Sequence, residues 1–179
     1  MKTRVLAAAL CLGLTACAPQ QPTLPVNPEE VERFPLNSLE ELATSEGVAI
    51  DTAVTTDGVG SVRVDATEPI TITLLELTDL DAQNTTLTFE ARLRSQDLEG
   101  MAHLEMEVYL PEQEEPIRTP GLGRLVRGTT EWGVATTSFY FQPGQQPEAV
   151  RLNLVVDGAG TVWVDEVRLL RTPLPRPAP

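Results

Sequence analysis

The chain reads as all-β: a two-sheet antiparallel jelly-roll sandwich of about eight or nine strands, with at most one short helical turn. Three observations predict this. Short segments alternate apolar and polar residues, as half-buried strands do. Turn dipeptides separate them: Asp57-Gly58, Glu99-Gly100, Pro143-Gly144 and Asp157-Gly158. No long stretch carries the 3.6-residue apolar period of a helix.

In chain order, the first segment is a leader. Lys2 and Arg4 precede an apolar run of ten residues, Val5 to Leu14, and then Leu14-Thr15-Ala16-Cys17. A spanning helix needs about 20 apolar residues, so this run reads as the apolar region of a secretory signal. A Cys directly after Leu-x-Ala resembles the signal of bacterial lipoproteins. The resemblance implies cleavage after residue 16 and lipid on Cys17, with the membrane as a partner through that lipid. Ala18 follows the Cys, and the absence of Asp there implies outer-membrane sorting. The expected location is the cell envelope, facing periplasm or cell surface.

Cys11 leaves with the signal and Cys17 carries lipid, so the folded part has no thiol and no disulfide. Cysteine nucleophiles and thiolate metal sites are excluded. Without Lys2 and Arg4, 11 basic residues face 26 acidic ones, a net charge near −15. Nucleic-acid binding depends on Lys and Arg neutralising phosphate, so no nucleic-acid partner is expected. Residues 17–33 read as a tether: Pro19, Pro22, Pro25 and Pro28 favour extended polyproline-II, about 3.1 Å per residue. The domain is expected over 34–172, about 140 residues, enough for one core. Residues 173–179 read as an unstructured tail.

Inside the domain, Ser38-Leu39-Glu40-Glu41 fits a capping box for one helical turn to about Ala43. The strands expected next are Gly47–Thr55, Ser61–Ala66, Ile70–Leu77, Thr86–Ser95, Ala102–Leu110, Val134–Gln142, Ala149–Val156 and Thr161–Arg171, with a weak one near Arg124–Val126. Alternation assigns faces. Leu87, Phe89, Ala91 and Leu93 oppose Thr88, Glu90, Arg92 and Arg94. Leu104, Met106, Val108 and Leu110 oppose His103, Glu105, Glu107 and Tyr109. One sheet is therefore expected to present Arg92, Arg94, Glu105, Glu107, Tyr109, Tyr140, Arg151 and Asn153 on a polar outer face. In the last strand Trp163, Asp165, Val167 and Leu169 share a face. An echo joins two segments: Asp57-Gly-Val-Gly-Ser-Val-Arg-Val-Asp65 and Asp157-Gly-Ala-Gly-Thr-Val-Trp-Val-Asp165 match at six of nine positions. It predicts two equivalent hairpin corners.

The order of Ala91–Ala102, then Glu131-Trp132, then Ser138-Phe139-Tyr140-Phe141 before Pro143-Gly144, then Leu154–Leu170 resembles the galactose-binding-domain-like β-sandwiches. The nearest kind is the carbohydrate-binding modules of the family 4, 9 and 22 type. The resemblance implies a binding module, with Trp132 and Trp163 as packing residues. It also implies a structural calcium, with Asp165 and Glu40 at the matching positions. The residues themselves leave two readings for Asp165: a metal ligand, or a buried carboxylate accepting N–H bonds from a loop. Tyr109 and Tyr140 are the candidate sugar-stacking rings. Arg92, Arg94, Glu105, Glu107, Arg151 and Asn153 supply hydrogen bonds to hydroxyls, or else pair as ions across strands.

Catalysis has little to draw on. His103 is the single histidine and lies mid-strand, and no Ser stands in a Gly-x-Ser-x-Gly context. No pair of carboxylates is set apart by spacing. Gly121-Leu-Gly123-Arg124 lacks the Lys-Ser/Thr of a phosphate loop. The reading is a non-catalytic, lipid-anchored envelope protein that binds a glycan or envelope polymer. The alternative is a structural or assembly lipoprotein that docks a protein partner.

Overall fold

The computed structural model describes residues 27–111 and 113–174. The signal segment, Cys17 and most of the expected tether lie outside the described residues. Nine strands appear: β1 (Glu29–Phe34), β2 (Val48–Asp51), β3 (Ser61–Ala66), β4 (Ile70–Thr78), β5 (Thr85–Tyr109), β6 (Ile117–Pro120), β7 (Val126–Phe141), β8 (Ala149–Asp157) and β9 (Gly160–Pro173). Among the described residues a single 3-10 turn, Leu39–Glu41, follows Ser38. The expected capping box does not close, because the Ser38 side chain caps no backbone N–H of the turn. Glu41 accepts from the Leu36 N–H at 2.9 Å and from the Ser38 hydroxyl at 3.2 Å.

The two strands expected at Thr86–Ser95 and Ala102–Leu110 are one 25-residue strand, β5. Its first half pairs with β9 through Gln96, and its second half pairs with β8 from Met101 onward. On the opposite edge β7 pairs along Thr85–Ala102, and β6 along Glu105–Val108. One sheet therefore runs β2-β3-β9-β5-β7, and the other β4-β8-β5-β6. β5 changes sheet around Asp97, whose φ is +51°. There it passes over the β8–β9 turn: a Cβ on Gly100 would lie 1.5 Å from the Asp157 carbonyl oxygen. Only glycine permits that approach.

The inward faces match the alternation. Leu87, Phe89, Ala91 and Leu93 from one half of β5 meet Leu104, Met106 and Val108 from the other, all at most 1% exposed. Leu152, Leu154, Val162 and Val164 complete the interior. Each large apolar side chain removed from water in this way contributes about 1.5–3 kcal/mol.

Several features differ from the sequence reading. β1 begins within the segment expected as tether, because Glu29–Phe34 pairs antiparallel with β9. Its residues are nearly all exposed, so no burial signal marks it. β6 was likewise silent: four residues with proline at one end. The two echo segments lead into neighbouring strands, and their turns lie at opposite ends of the pair. β3 and β9 pair antiparallel, Val62 to Val164 and Val64 to Val162, about a local dyad at Arg63–Trp163.

The face assigned to the last strand is also corrected. Glu90 pairs with Arg168 and Arg92 with Asp165, so β9 carries one extra residue there. The bulge falls at Glu166, whose φ is +50°. Val167 and Leu169 point inward, while Trp163 points outward between Arg63 and Arg94. A single inserted residue flips every side chain beyond it.

Candidate functional site

Because β5 serves both sheets, the polar residues expected on one face occupy two. Arg92, Arg94 and Tyr140 lie on the outer face of the β9 sheet. Glu105, Glu107, Tyr109, Arg151 and Asn153 lie on the outer face of the β8 sheet. The polar outer face expected as one is therefore two. The cause is that the two halves of β5 share a period but not a sheet.

The β8-sheet face is built in rows across its strands. One row runs Arg118 on β6, Glu107 on β5, Arg151 on β8 and Glu76 on β4. Alternating charge makes it a continuous ladder. Arg118 Nε donates to Glu107 Oε1 at 2.9 Å, and Arg151 Nε donates to Glu76 Oε2 at 2.6 Å. Tyr109 joins the two halves: its hydroxyl donates to Glu107 Oε2 at 3.0 Å and accepts from Arg151 Nη1 at 2.6 Å. The Arg151 guanidinium lies 4.8 Å from the Tyr109 ring centroid. Burial, then the bond to Glu107, pushes the Tyr109 phenol above its usual value. Tyr109 is thus a braced ring with one face occupied by Arg151.

The next row is Glu105, Asn153 and Thr73. Glu107 and Asn153 are 8% and 2% exposed, although alternation turns both outward. They form a polar floor below the side chains around them. Asn153 Oδ1 is enclosed there without a hydrogen-bond partner. The third row is His103, Val155 and Thr71, and beyond it Met101 faces Asp157. Here the face drops into a recess of about 360 Å3 lined by Pro69, Ile70, Thr71, Met101, His103, Val155, Val156 and Asp157. The alternation pattern does not reveal this recess. Its lining comes from three strands, and His103 was its one visible signal.

The β9-sheet face is mostly paired. Arg92 Nε donates to Glu166 Oε2 at 2.6 Å, Arg168 pairs with Glu90, and Arg94 lies 3.4 Å from Glu131. Tyr140 is 51% exposed beside Thr86 and the hydrogen-bonded Thr88–Ser138 pair. Trp163 is 4% exposed, so it packs as expected. Its surroundings are Arg63 and Arg94, 5.7 and 5.8 Å from the ring, and its indole N–H donates to Asp51 at 2.9 Å. Trp132 is half-buried on β7.

Asp165 is fully buried. Its Oδ2 accepts from the Thr56 N–H and hydroxyl, each at 2.7 Å, and its Oδ1 accepts from the Glu166 N–H at 2.7 Å. Burial pushes this carboxyl above the usual carboxylate range. Calcium needs six to eight oxygen ligands, whereas the groups closing on Asp165 are hydrogen-bond donors. Glu40 is exposed on the 3-10 turn. Among the described residues no three His, Cys, Asp or Glu side chains gather as a metal-binding group. Among the described residues, too, no helix is long and apolar enough to cross a membrane.

No protein-family model and no curated protein matches this sequence. Solved structures do match its fold. The tandem CBM22-1–CBM22-2 domain from Paenibacillus barcinonensis Xyn10C superimposes with a TM-score of 0.60 at 14% identity, over 87% of this chain and 48% of that one. The CBM22-1 xylan-binding domain from Paenibacillus barcinonensis Xyn10C gives 0.55 at 15% identity, over 83% and 97%. The C-terminal family 22 carbohydrate binding module of Clostridium thermocellum Xyn10B gives 0.55 at 10% identity, over 78% and 91%. The chain therefore has the β-sandwich fold seen in carbohydrate-binding modules.

Proposed function

We propose that the protein is a non-catalytic glycan-binding module, held at the cell envelope by lipid on Cys17, and that it binds along the outer face of the β8 sheet. One observation carries this reading: Glu107 and Asn153 point outward yet are buried, so the face has a polar floor with hydrogen-bonding capacity left over. An enclosed acceptor without a partner is costly, and a ligand bringing hydroxyl groups, together with small side-chain rotations, relieves that cost. Arg151, Glu105 and Tyr109 frame the floor with donors, acceptors and one aromatic ring. The names of the similar solved structures, which include a xylan-binding domain, support a polysaccharide ligand.

The test is binding of the full chain to plant, microbial and cell-wall polysaccharides. Saturable binding to one class is expected. Tyr109→Ala weakens it about tenfold, worth roughly 1.4 kcal/mol. Tyr140→Ala leaves it unchanged, because that ring lies on the other sheet. Equal losses in both variants would contradict the placement. Absence of binding throughout would favour the protein-docking alternative.

A further inference from the structure

We propose that the recess at the end of this face reads an acetamido group, so that the preferred ligand is an N-acetylated glycan. The proposal rests on the glycan-binding reading above and names the ligand for the same face.

The recess mixes two chemistries. Met101 and Val155 give it an apolar wall, and His103, Thr71 and Asp157 place polar groups around that wall. Its volume of about 360 Å3 falls within the range of small-ligand sites, about 300–1,000 Å3. A sugar carrying only hydroxyl groups is a poor occupant, because hydroxyls against Met101 and Val155 lose water without gaining a partner. A methyl group fits that wall.

The polar rim narrows the choice. His103 Nδ1 is enclosed and has no partner. A neutral imidazole has one donor and one acceptor nitrogen. With Nδ1 enclosed and unpartnered, we assign the ring proton to Nε2. His103 then offers one N–H donor to the recess it lines. That donor selects a group with a carbonyl oxygen beside its methyl. Asp157 is exposed across from Met101 and supplies an acceptor for an N–H. Methyl, carbonyl and N–H together make an acetamido group. A deoxy-sugar methyl lacks the carbonyl, and an acetate ester lacks the N–H.

The position is consistent with a glycan lying along the face. The recess row, His103–Val155–Thr71, is adjacent to the Glu105–Asn153–Thr73 row. A sugar with its ring over Asn153 directs a substituent into the recess.

The experiment measures calorimetric affinities of the full chain for chitohexaose, cellohexaose, xylohexaose and a soluble peptidoglycan strand. Chitohexaose and cellohexaose share a β-1,4 backbone and differ by acetamido against hydroxyl. Chitohexaose or the peptidoglycan strand is expected to bind at least tenfold tighter than cellohexaose, and the tighter of the two identifies the source. His103→Ala and Thr71→Phe, the second filling the recess from the exposed edge strand, each reduce that ratio several-fold. Cellohexaose or xylohexaose binding as tightly as both N-acetylated ligands would overturn the acetamido assignment and leave the face reading standing. An undiminished ratio in both folded variants would also overturn it. Failure of all four ligands to bind would remove the face reading itself.

Discussion

Asp165→Ala is the substitution that most directly probes how β9 is tied to the rest of the domain. It removes the acceptor from three donors: the Thr56 N–H, the Thr56 hydroxyl and the Glu166 N–H, each 2.7 Å away. A buried donor left without a partner costs about 1–3 kcal/mol, and both main-chain N–H groups are stranded. Removing the carboxylate returns its own desolvation cost, the burial that pushes its pKa up. The balance is a loss of about 3 kcal/mol. For a domain of this size that lowers the thermal midpoint by about 6–12 °C. Urea and thermal unfolding followed by tryptophan fluorescence read it. A loss under about 0.5 kcal/mol would refute the reasoning, because surface substitutions reach no more than that.

The same residue makes a pH prediction. Its carboxyl is raised in the folded state, so its contribution favours folding below the unfolded value, about 3.9. That contribution is lost as pH rises through the raised folded value. Asp165→Asn abolishes this segment of the pH profile. Chelation separates the two sources of order at Asp165. EDTA is expected to leave the parent midpoint unchanged, because hydrogen-bond donors close on the carboxylate. A midpoint that falls with EDTA and recovers with calcium would make Asp165 a metal ligand.

Two further predictions concern other parts of the sandwich. Gly100→Ala drives a Cβ to within 1.5 Å of the Asp157 carbonyl oxygen and must displace the β5 crossing; it is expected to cost about 3 kcal/mol or more, seen as lost soluble yield or a much lower midpoint. Asp51 is held below the usual carboxylate range, first by the Trp163 indole N–H. Its contribution is present above the unfolded value of about 3.9 and is lost as pH falls through the lowered folded value. Asp51→Asn therefore flattens the acid limb of the stability profile, and an unaltered limb would show that this bond carries no stability.

The sequence by itself determined the fold class, most of the strands and which residues face inward. Those properties rest on local chemistry: a period of two, glycine turns, and apolar side chains that must leave water. It did not determine which sheet a strand joins. The inward residues of β5 are odd-numbered from Leu87 to Leu93 and even-numbered from Leu104 to Val108, so the pattern marks a break near Asp97, but it does not say that one strand continues through the break or that its halves join different sheets. Tyr109 and Tyr140 therefore looked like neighbours and are not. Nor did the pattern reveal the bulge at Glu166, where one residue turned Trp163 away from Val167. The buried floor of Glu107 and Asn153 was equally hidden, since alternation marks them as outward, and only packing across four strands encloses them. The recess beside His103 draws its lining from β4, β5 and β8. A site assembled from strands far apart in the chain has no local signature, and tertiary structure alone brings it together.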